Sequence, residues 1–425
     1  MLIVFGSLLI LLTGFHFWFK ANAKKLFEQL VETRSHGKLK LKMDKFHFSY
    51  FSKNMELDNA VFFNTDTVNE NTAYSFRIKH LKLRVNAIMP IFFRKRLIID
   101  SLSLNDPEIT VTRLRAGNRS DSAAKKDISI PGEMGKIYNS IQDALQVLKV
   151  RRFEINNCTF NLVNRIRPDE KPVKITKLFL HLDNLEVDTS RFSIDKKILF
   201  SENLVLRTRN QDITFPDGRH RLSFSRFRIN VRKKLVEFDS CTISSARSET
   251  NNASFNVFFD ALLMTNIDFD TLYRHEVIKA DSVYCVNPRF KLDVDVTKKT
   301  GPKKQAPRLD KIIRQLTGDL QLGFVVVNNA DFDITTTRNG IPSTFNFTRN
   351  NFELQGLNIN DDPVRPLKVK SFAMAIRNYE NFLHDSTLSL QFDSILFNKN
   401  RIVLSNFNLK QLEHGKVTNS FTVPQ

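Results

Sequence analysis

Two pairs of carboxylates are the feature of this 425-residue chain that most suggests chemistry. Asp268 and Asp270 stand two residues apart, and so do Asp293 and Asp295. Such pairs could bind a metal ion or act as an acid and a base. Both pairs fall in stretches where apolar and polar residues alternate, and polar residues of such strands usually face water. We therefore predict solvated carboxylates on strands.

The cysteines and histidines form no recognisable site either. Cys158, Cys241 and Cys285 are widely spaced in strand-like stretches and match no metal or disulfide pattern, which predicts buried free thiols. His80 and His181 are out of phase with the neighbouring leucines and are predicted to be solvated. Nucleophile elbows, phosphate-binding loops, zinc-protease helices and dinucleotide fingerprints are missing from the sequence. We therefore predict no enzyme, no cofactor and no metal.

Part of this strand-like sequence occurs twice along the chain. A stretch that begins at Phe153, FEINNCTFNLVNR, matches one that begins at Val325, VVVNNADFDITTTR, at an offset of 172 residues that aligns Asn157 with Asn329. A fixed long-period match indicates a duplicated structural unit. Both copies alternate apolar and polar residues, which predicts strands with one apolar face.

A second pair of landmarks occurs in the same order before each copy. Asp100-Ser101 is followed by Pro107, and Asp281-Ser282 is followed by Pro288, at an offset of 181 residues. A polar linker and then a short helical pattern follow each landmark. Two different landmarks in the same order make a chance match improbable, so the duplication covers most of the chain.

This order divides the chain into seven predicted segments. They are a transmembrane anchor (1–20), an amphipathic helix (21–37), a β region (38–114), a linker (115–131), a first helix with its β-sheet (132–296), a second linker (297–307), and a second helix with its β-sheet (308–425). The second copy lacks a counterpart to the closing segment 281–288. Helical spacing and capping glycines predict the helices from these residues: Ala23, Leu26, Phe27, Leu30 and Val31 before Gly37; Ile137, Ile141, Leu145 and Leu148; and Leu309, Ile312, Ile313 and Leu316 before Gly318.

The composition favours an anionic partner. The chain has 64 Lys and Arg against 45 Asp and Glu, a formal charge of +19, and 38 Phe among its apolar residues. Such a balance suits a phospholipid surface, lipopolysaccharide phosphates or nucleic acid. The basic residues are spread along the strands, and no nucleic-acid-binding motif occurs, so we predict no nucleic-acid partner.

The amino terminus predicts a membrane anchor. Residues 2–19 carry no charge, are long enough to cross a bilayer, and end in an aromatic cluster. An A-x-A pattern at 21–23 leaves open cleavage and release at Ala23, but the long apolar run favours an uncleaved anchor. Lys20, Lys24 and Lys25 follow the span, and by the positive-inside rule alone they would place the following domain in the cytoplasm.

The stretch from Leu2 to Val111 resembles the amino-terminal part of the AsmA-like proteins of Gram-negative envelopes, which are related to bridge-like lipid transfer proteins. The resemblance rests on the apolar span, the helix ending at Gly37, and the strings FHFSYFSKNMELDNAVFF and RIKHLKLRVNAIMPIFFRKRLIIDSLSLNDPEITV. It implies a single-pass inner-membrane anchor, a periplasmic body, and an elongated sheet curled like a taco around a greasy interior. It also implies a role in phospholipid transport or outer-membrane maintenance.

We accordingly predict a mainly β fold: an elongated, curled, amphipathic antiparallel sheet of two repeated units, with an anchor helix and a few short helices. An apolar face this large must be covered. The pattern leaves two possibilities open: a second sheet in a closed sandwich, or acyl chains in a groove. The sandwich would be an envelope scaffold that binds other proteins. The resemblance favours the groove, with phospholipid or another anionic lipid bound by these inward residues: Phe48, Tyr50, Phe76, Ile78, Leu81, Leu83, Phe160, Leu162, Leu180, Leu182, Phe224, Phe332 and Phe352.

Overall fold

The computed structural model is mainly β and divides into two compact units, residues 1–208 and 209–425. The structure describes residues 22, 24–26, 28–29, 31–33, 37, 39–49, 52–64, 72–85, 96–114, 147–169, 171–188, 201–215, 218–247, 253–275, 277–295, 319–360, 367–383, 387–398, 400–413 and 416–423. The predicted anchor, residues 1–20, lies outside these ranges. So do both predicted linkers, the predicted helix at 308–318 and Tyr50.

The first unit is built from long strands that follow a short helical segment within residues 22–33. Its strands are β1 (Leu39–Lys42), β2 (Lys45–Ser49), β3 (Asn54–Asn64), β4 (Thr72–Val85), β5 (Arg96–Asn105), β6 (Glu108–Arg113), β7 (Val147–Asn164) and β8 (Val173–Asp188). The division between the units falls inside β9 (Asn203–Thr214).

The second unit continues with strands and one described helix. Its elements are β10 (His220–Asn230), β11 (Leu235–Ser245), β12 (Ala253–Thr265), α1 (Phe269–His275), β13 (Val277–Val286), β14 (Arg289–Asp295), β15 (Asp319–Arg338), β16 (Ile341–Ile359), β17 (Leu367–Lys368), β18 (Ser371–Leu383), β19 (Leu388–Asn398), β20 (Ile402–Ser405), β21 (Phe407–Glu413) and β22 (Lys416–Val423).

The strands form mixed rather than purely antiparallel sheet, so this part of the predicted fold is wrong. β5 and β6 pair in parallel with β7, and β13 and β14 pair in parallel with β15. In both places a long connection, residues 114–146 or 296–318, precedes the parallel strand. A connection of that length can return the chain to the end where the previous strand began, and the next strand then runs in the same direction.

A strand divided by a corner is the motif that repeats. β5 and β6 both pair with β4 on one side and β7 on the other, and β13 and β14 are held in the same way between β12 and β15. Asp106 and Asn287 form the two corners with left-handed φ values of 51° and 49°, and Pro107 and Pro288 follow them. Asparagine and aspartate tolerate this backbone region better than other non-glycine residues.

The second asparagine of each repeated Asn-Asn pair lies in a long strand, β7 or β15, and contacts one of these corners. Asn157 and Asn329 also have left-handed φ values, 55° and 58°, and each lies at a register shift toward the next strand. The Asn157 side-chain amide donates to Asp106 (2.5 Å), and that of Asn329 donates to the side chain of Asn287 (2.9 Å). The duplication is therefore present in the hydrogen bonds as well as in the residue types.

Each landmark marks a place where apolar residues step by three positions instead of two. At the asparagines, Ile155 is followed by Cys158 and Val327 by Ala330. The same three-residue step occurs on the strands next to Asp100 and Asp281, from Val150 to Phe153 and from Leu322 to Val325. A one-residue slip would otherwise turn the apolar residues to the other face. The register shifts at the asparagines therefore keep the buried residues on either side of them on the same face of the strand.

A third divided strand closes the described part of the second unit. β20 and β21 both pair with β19, and Asn406 forms the corner between them with φ 50°. Its side-chain amide donates to Asp393 (2.6 Å), as that of Asn287 does to Asp260 (2.7 Å). The second copy thus contains a divided strand near its end, where the sequence shows no counterpart to segment 281–288. The sequence did not reveal it because neither the Asp-Ser pair nor the proline recurs there.

Two predictions about helices can be compared with the described residues. Residues 22–33 are helical where described, and the N–H of Gly37, at φ 76°, donates to the Glu32 carbonyl (2.8 Å). Leu148 was assigned to a helix but lies in β7, because that strand begins at Val147. No helix within the described ranges is long and apolar enough to cross a membrane.

Asp268 and Asp270 do not lie on a strand, contrary to the prediction. Asp268 precedes α1 and accepts hydrogen bonds from the backbone N–H (3.1 Å) and hydroxyl (2.8 Å) of Thr271, as an N-cap residue does. These bonds, the backbone one first, hold the pKa of the Asp268 carboxyl below its usual value. Asp293 and Asp295 do lie on a strand, β14.

The cap predicts a small, pH-dependent effect on stability. Asp268→Ala should lower the free energy of unfolding by about 1 kcal/mol near neutral pH. Because the folded pKa is lowered, the stabilisation is present above the unfolded pKa and is lost as the pH falls through the folded pKa. Urea unfolding at pH 7 and pH 3 should show a larger difference between wild type and variant at pH 7. Asp268→Asn retains an acceptor, and equal loss in both variants would contradict the assignment.

Candidate binding face

The register of the first unit places apolar residues in continuous rows, because directly paired residues share a face. One row crosses seven strands: Phe48, Met55, Leu83, Leu102, Phe153, Leu182 and Leu204. The neighbouring row is equally apolar: Phe46, Leu57, Leu81, Leu104, Ile155, Leu180 and Leu206. Beyond the corners, a third row consists of Leu41, Phe62, Phe76, Ile109, Phe160 and Ile175. We call the face that carries these rows, and its counterpart in the second unit, the apolar face.

The other face of the same strands is largely polar, and we call it the outer face. The row between the first two apolar rows is His47, Glu56, Lys82, Ser103, Glu154, His181 and Val205. Lys82 forms an ion pair with Glu56 (3.0 Å), and the His181 ring lies 3.3 Å from Glu154 on the neighbouring strand. In the first unit these strands are therefore amphipathic, with one apolar and one largely polar side.

The apolar face of the first unit is partly filled by the chain itself. Leu57 and Ala60 are buried in a cluster with their neighbours, and Val31 of the amino-terminal helical segment packs against it. A second cluster surrounds Met55 and Val85, which are almost completely buried. This unit therefore covers much of its own apolar surface.

The apolar face of the second unit is more open. Its longest row crosses nine strands: Phe227, Phe238, Leu262, Cys285, Val327, Phe352, Met374, Phe397 and Ile402. Only Cys285 is buried; the other eight side chains are half-buried or, at Ile402, 65% exposed. At about 4.8 Å between strands the row is about 38 Å wide.

Aromatic rings line this face. Phe332 stacks on Phe290 with ring centroids 4.7 Å apart and meets Phe352 edge-on at 5.3 Å. A second stack brings Tyr379 to 4.8 Å from Phe347 and 4.7 Å from Phe392. The rings follow the register across neighbouring strands; Tyr379 and Phe392 are buried, whereas Phe332 and Phe352 remain half-buried.

The structure places all twelve described site candidates on the apolar face, by register or by direct contact. Seven are buried: Ile78, Leu81, Phe160, Leu162, Leu180, Leu182 and Phe224. Five are half-buried: Phe48, Phe76, Leu83, Phe332 and Phe352. The sequence analysis missed the longest row of the second unit except for Phe352, since strand register is not readable from one sequence.

The three cysteines are buried and form no disulfide, as predicted. Burial raises the pKa of the Cys158 and Cys241 thiols to about 12, and that of Cys285 to about 11. Such thiols stay protonated at neutral pH and act as small apolar side chains of the face.

The two histidines singled out in the sequence have different surroundings. His80 is exposed, as predicted, and lies 2.7 Å from Asp58. His181 is only partly exposed, at 21% of its side chain, and its two ring nitrogens lie 3.3 Å from Glu154 and 2.9 Å from Asp183. The ring nitrogens therefore belong to the polar network of the outer face.

Comparison with known proteins adds no family to these observations. The sequence matches no protein-family model and no curated protein. The resemblance to AsmA-like proteins therefore stays a prediction.

Proposed function

We propose that this protein binds lipid acyl chains on the apolar face of its strands, without catalysis. The nine-strand row of the second unit carries the proposal, because eight of its nine side chains remain half-buried or exposed. Covering an exposed Phe with apolar material is worth roughly 2–3 kcal/mol. A face of this size therefore favours an apolar ligand, and an acyl chain can lie across several strands.

The proposal extends to the biological setting through the sequence. A net charge of +19 favours phospholipid or another anionic lipid over a neutral one. The uncharged stretch at 2–19 supports a single-pass inner-membrane anchor, and the AsmA-like resemblance supports a periplasmic body curled around the lipid. We accordingly propose a role in phospholipid transport or outer-membrane maintenance.

A second candidate function is an envelope scaffold that binds other proteins. The observation that favours it is the filled apolar face of the first unit, where the clusters around Leu57 and Val85 are buried by the chain itself. If the apolar face of the second unit were covered by protein in the same way, lipid would have no place to bind.

Lipid extraction from the purified full-length protein distinguishes lipid binding from the scaffold function. We expect phospholipid to remain bound through washing in a lipid-free detergent, with at least one molecule per chain by phosphate assay and mass spectrometry. Folded protein that retains no lipid would overturn the lipid proposal and favour the scaffold. Lipid associated with the anchor alone would be retained equally by a variant whose apolar face is blocked, so such a variant is the required control.

A further inference from the structure

The two copies differ sharply on the outer face of three adjacent strands. In the second copy the outer positions are apolar: Ala261 and Leu263 on β12, Tyr284 and Val286 on β13, and Phe324 and Val326 on β15. The register places these polar residues at the equivalent positions of the first copy: His80 and Lys82 on β4, Ser103 and Asn105 on β5, and Arg152 and Glu154 on β7. We call the six apolar residues the outer patch.

The outer patch is continuous. Tyr284 pairs directly with Leu263 on one side and Val326 on the other, and Val286 pairs with Ala261. Phe324 lies two residues before Val326 on the same strand. All members therefore lie on neighbouring positions of the face opposite the nine-strand apolar row.

Water reaches the outer patch. Phe324 is 53% exposed, Tyr284 40% and Val286 37%. The first copy folds into the same strand arrangement with six polar residues at these positions, so the arrangement does not require apolar ones. Exposed, contiguous apolar residues of this kind mark a binding surface.

Carboxylates flank the outer patch on both sides. Glu237 pairs with Leu263, and Glu353 pairs with Val326, so one row reads Glu, Leu, Tyr, Val, Glu across five strands. Arg228 lies 3.7 Å from Glu237 on the side away from the patch. The two carboxylates stand about 19 Å apart at the usual strand spacing. A ligand that crosses this row meets apolar surface in the middle and a carboxylate at each end, of which Glu237 also faces Arg228.

We propose that the outer patch binds a basic amphipathic helix of a partner protein. Leucine-type side chains of the helix would cover Tyr284, Val286 and Phe324, and Lys or Arg side chains would approach Glu237 and Glu353. At 1.5 Å per residue, about 13 helical residues span the distance between the two carboxylates. The site is separate from the lipid-binding proposal, since it uses the opposite face of the strands.

The test uses the full-length protein in phosphatidylcholine nanodiscs and a fluorescein-labelled 18-residue Lys/Leu amphipathic peptide. We expect saturable binding by fluorescence anisotropy above an empty-nanodisc baseline, and much weaker binding of a Glu/Leu peptide with the same spacing. A variant that carries the first-copy residues, Tyr284→Ser, Val286→Asn, Phe324→Arg and Val326→Glu, should bind on the order of 100-fold more weakly. Phe324→Arg alone is the second variant, should the fourfold one fail to fold.

Further variants test the role of the two carboxylates and the location of the peptide-binding site. Glu237→Gln combined with Glu353→Gln should weaken binding of the Lys/Leu peptide about fivefold, with loss of its salt dependence. Met374→Lys, on the apolar face, should leave peptide binding unchanged. Equal binding of both peptides, or wild-type binding by the patch variants, would overturn the proposal. So would a patch substitution that converts a dimer to a monomer or abolishes vesicle binding, because the occupant would then be a second copy or a membrane.

Discussion

Asn157→Val is expected to destabilise the first unit by about 2–4 kcal/mol, the sum of backbone strain and a lost side-chain hydrogen bond. Asn157 has φ 55°, a region that a β-branched residue adopts only at a cost. Its side-chain amide also donates to Asp106 at 2.5 Å, which ties the bulge in β7 to the corner between β5 and β6. Valine can satisfy neither requirement, although it favours strands elsewhere.

Urea unfolding with matched variants measures this effect. Asn157→Gly keeps the left-handed backbone accessible and removes only the side-chain bond, so it should lower the stability by about 1 kcal/mol. Asn329→Val, at the equivalent position of the second copy with φ 58°, should repeat the larger loss. A valine variant that is as stable as the glycine variant would show that the bulge carries no backbone requirement.

The repeated asparagines show how much of the fold could be predicted from the sequence. Their fixed offset identified the duplication, and the alternation around them identified strands with one apolar face. Their role at the bulges could not be predicted from the sequence, because the left-handed conformation of a residue is seen only in the backbone of the structure. Once Asn157 and Asn329 are seen at the bulges, the change of phase between Ile155 and Cys158 has a physical cause.

The strand direction could have been inferred from the same sequence. Each linker and helical pattern separates two strands that the structure pairs in parallel, β6 from β7 and β14 from β15. Antiparallel neighbours need only a short turn, whereas parallel neighbours need a crossover of a dozen residues or more. The long connections were therefore a signal for mixed sheet that the antiparallel prediction overlooked.

The binding surfaces depended on information that one sequence lacks. Phe227 and Ile402 lie in the same row only through eight successive pairings, each set by its own register. The outer patch likewise depends on which residue of β13 faces which residue of β15. Asp268 was misassigned for a simpler reason: local alternation suggested a strand, whereas its hydrogen bonds to Thr271 begin a helix.

The apolar row of the second unit leads to the other large expected effect, on lipid content. Met374 lies in this row between Phe352 and Phe397. Met374→Lys places an ammonium group on the surface that would contact acyl chains, and desolvating a charge there costs several kcal/mol. We expect bound phospholipid per chain to fall about tenfold or more, since each 1.4 kcal/mol lost from binding is a factor of ten.

The neighbouring residue supplies the matched control. Ala373 lies on the same strand but faces the other side, where it pairs with Glu353 and Asn398. Ala373→Lys adds the same charge to the same strand of the same chain, and its ammonium group can approach Glu353. It should therefore retain lipid at the wild-type level. Equal loss in both variants would indicate a general effect of charge, and equal retention would mean that the lipid is bound elsewhere on the protein.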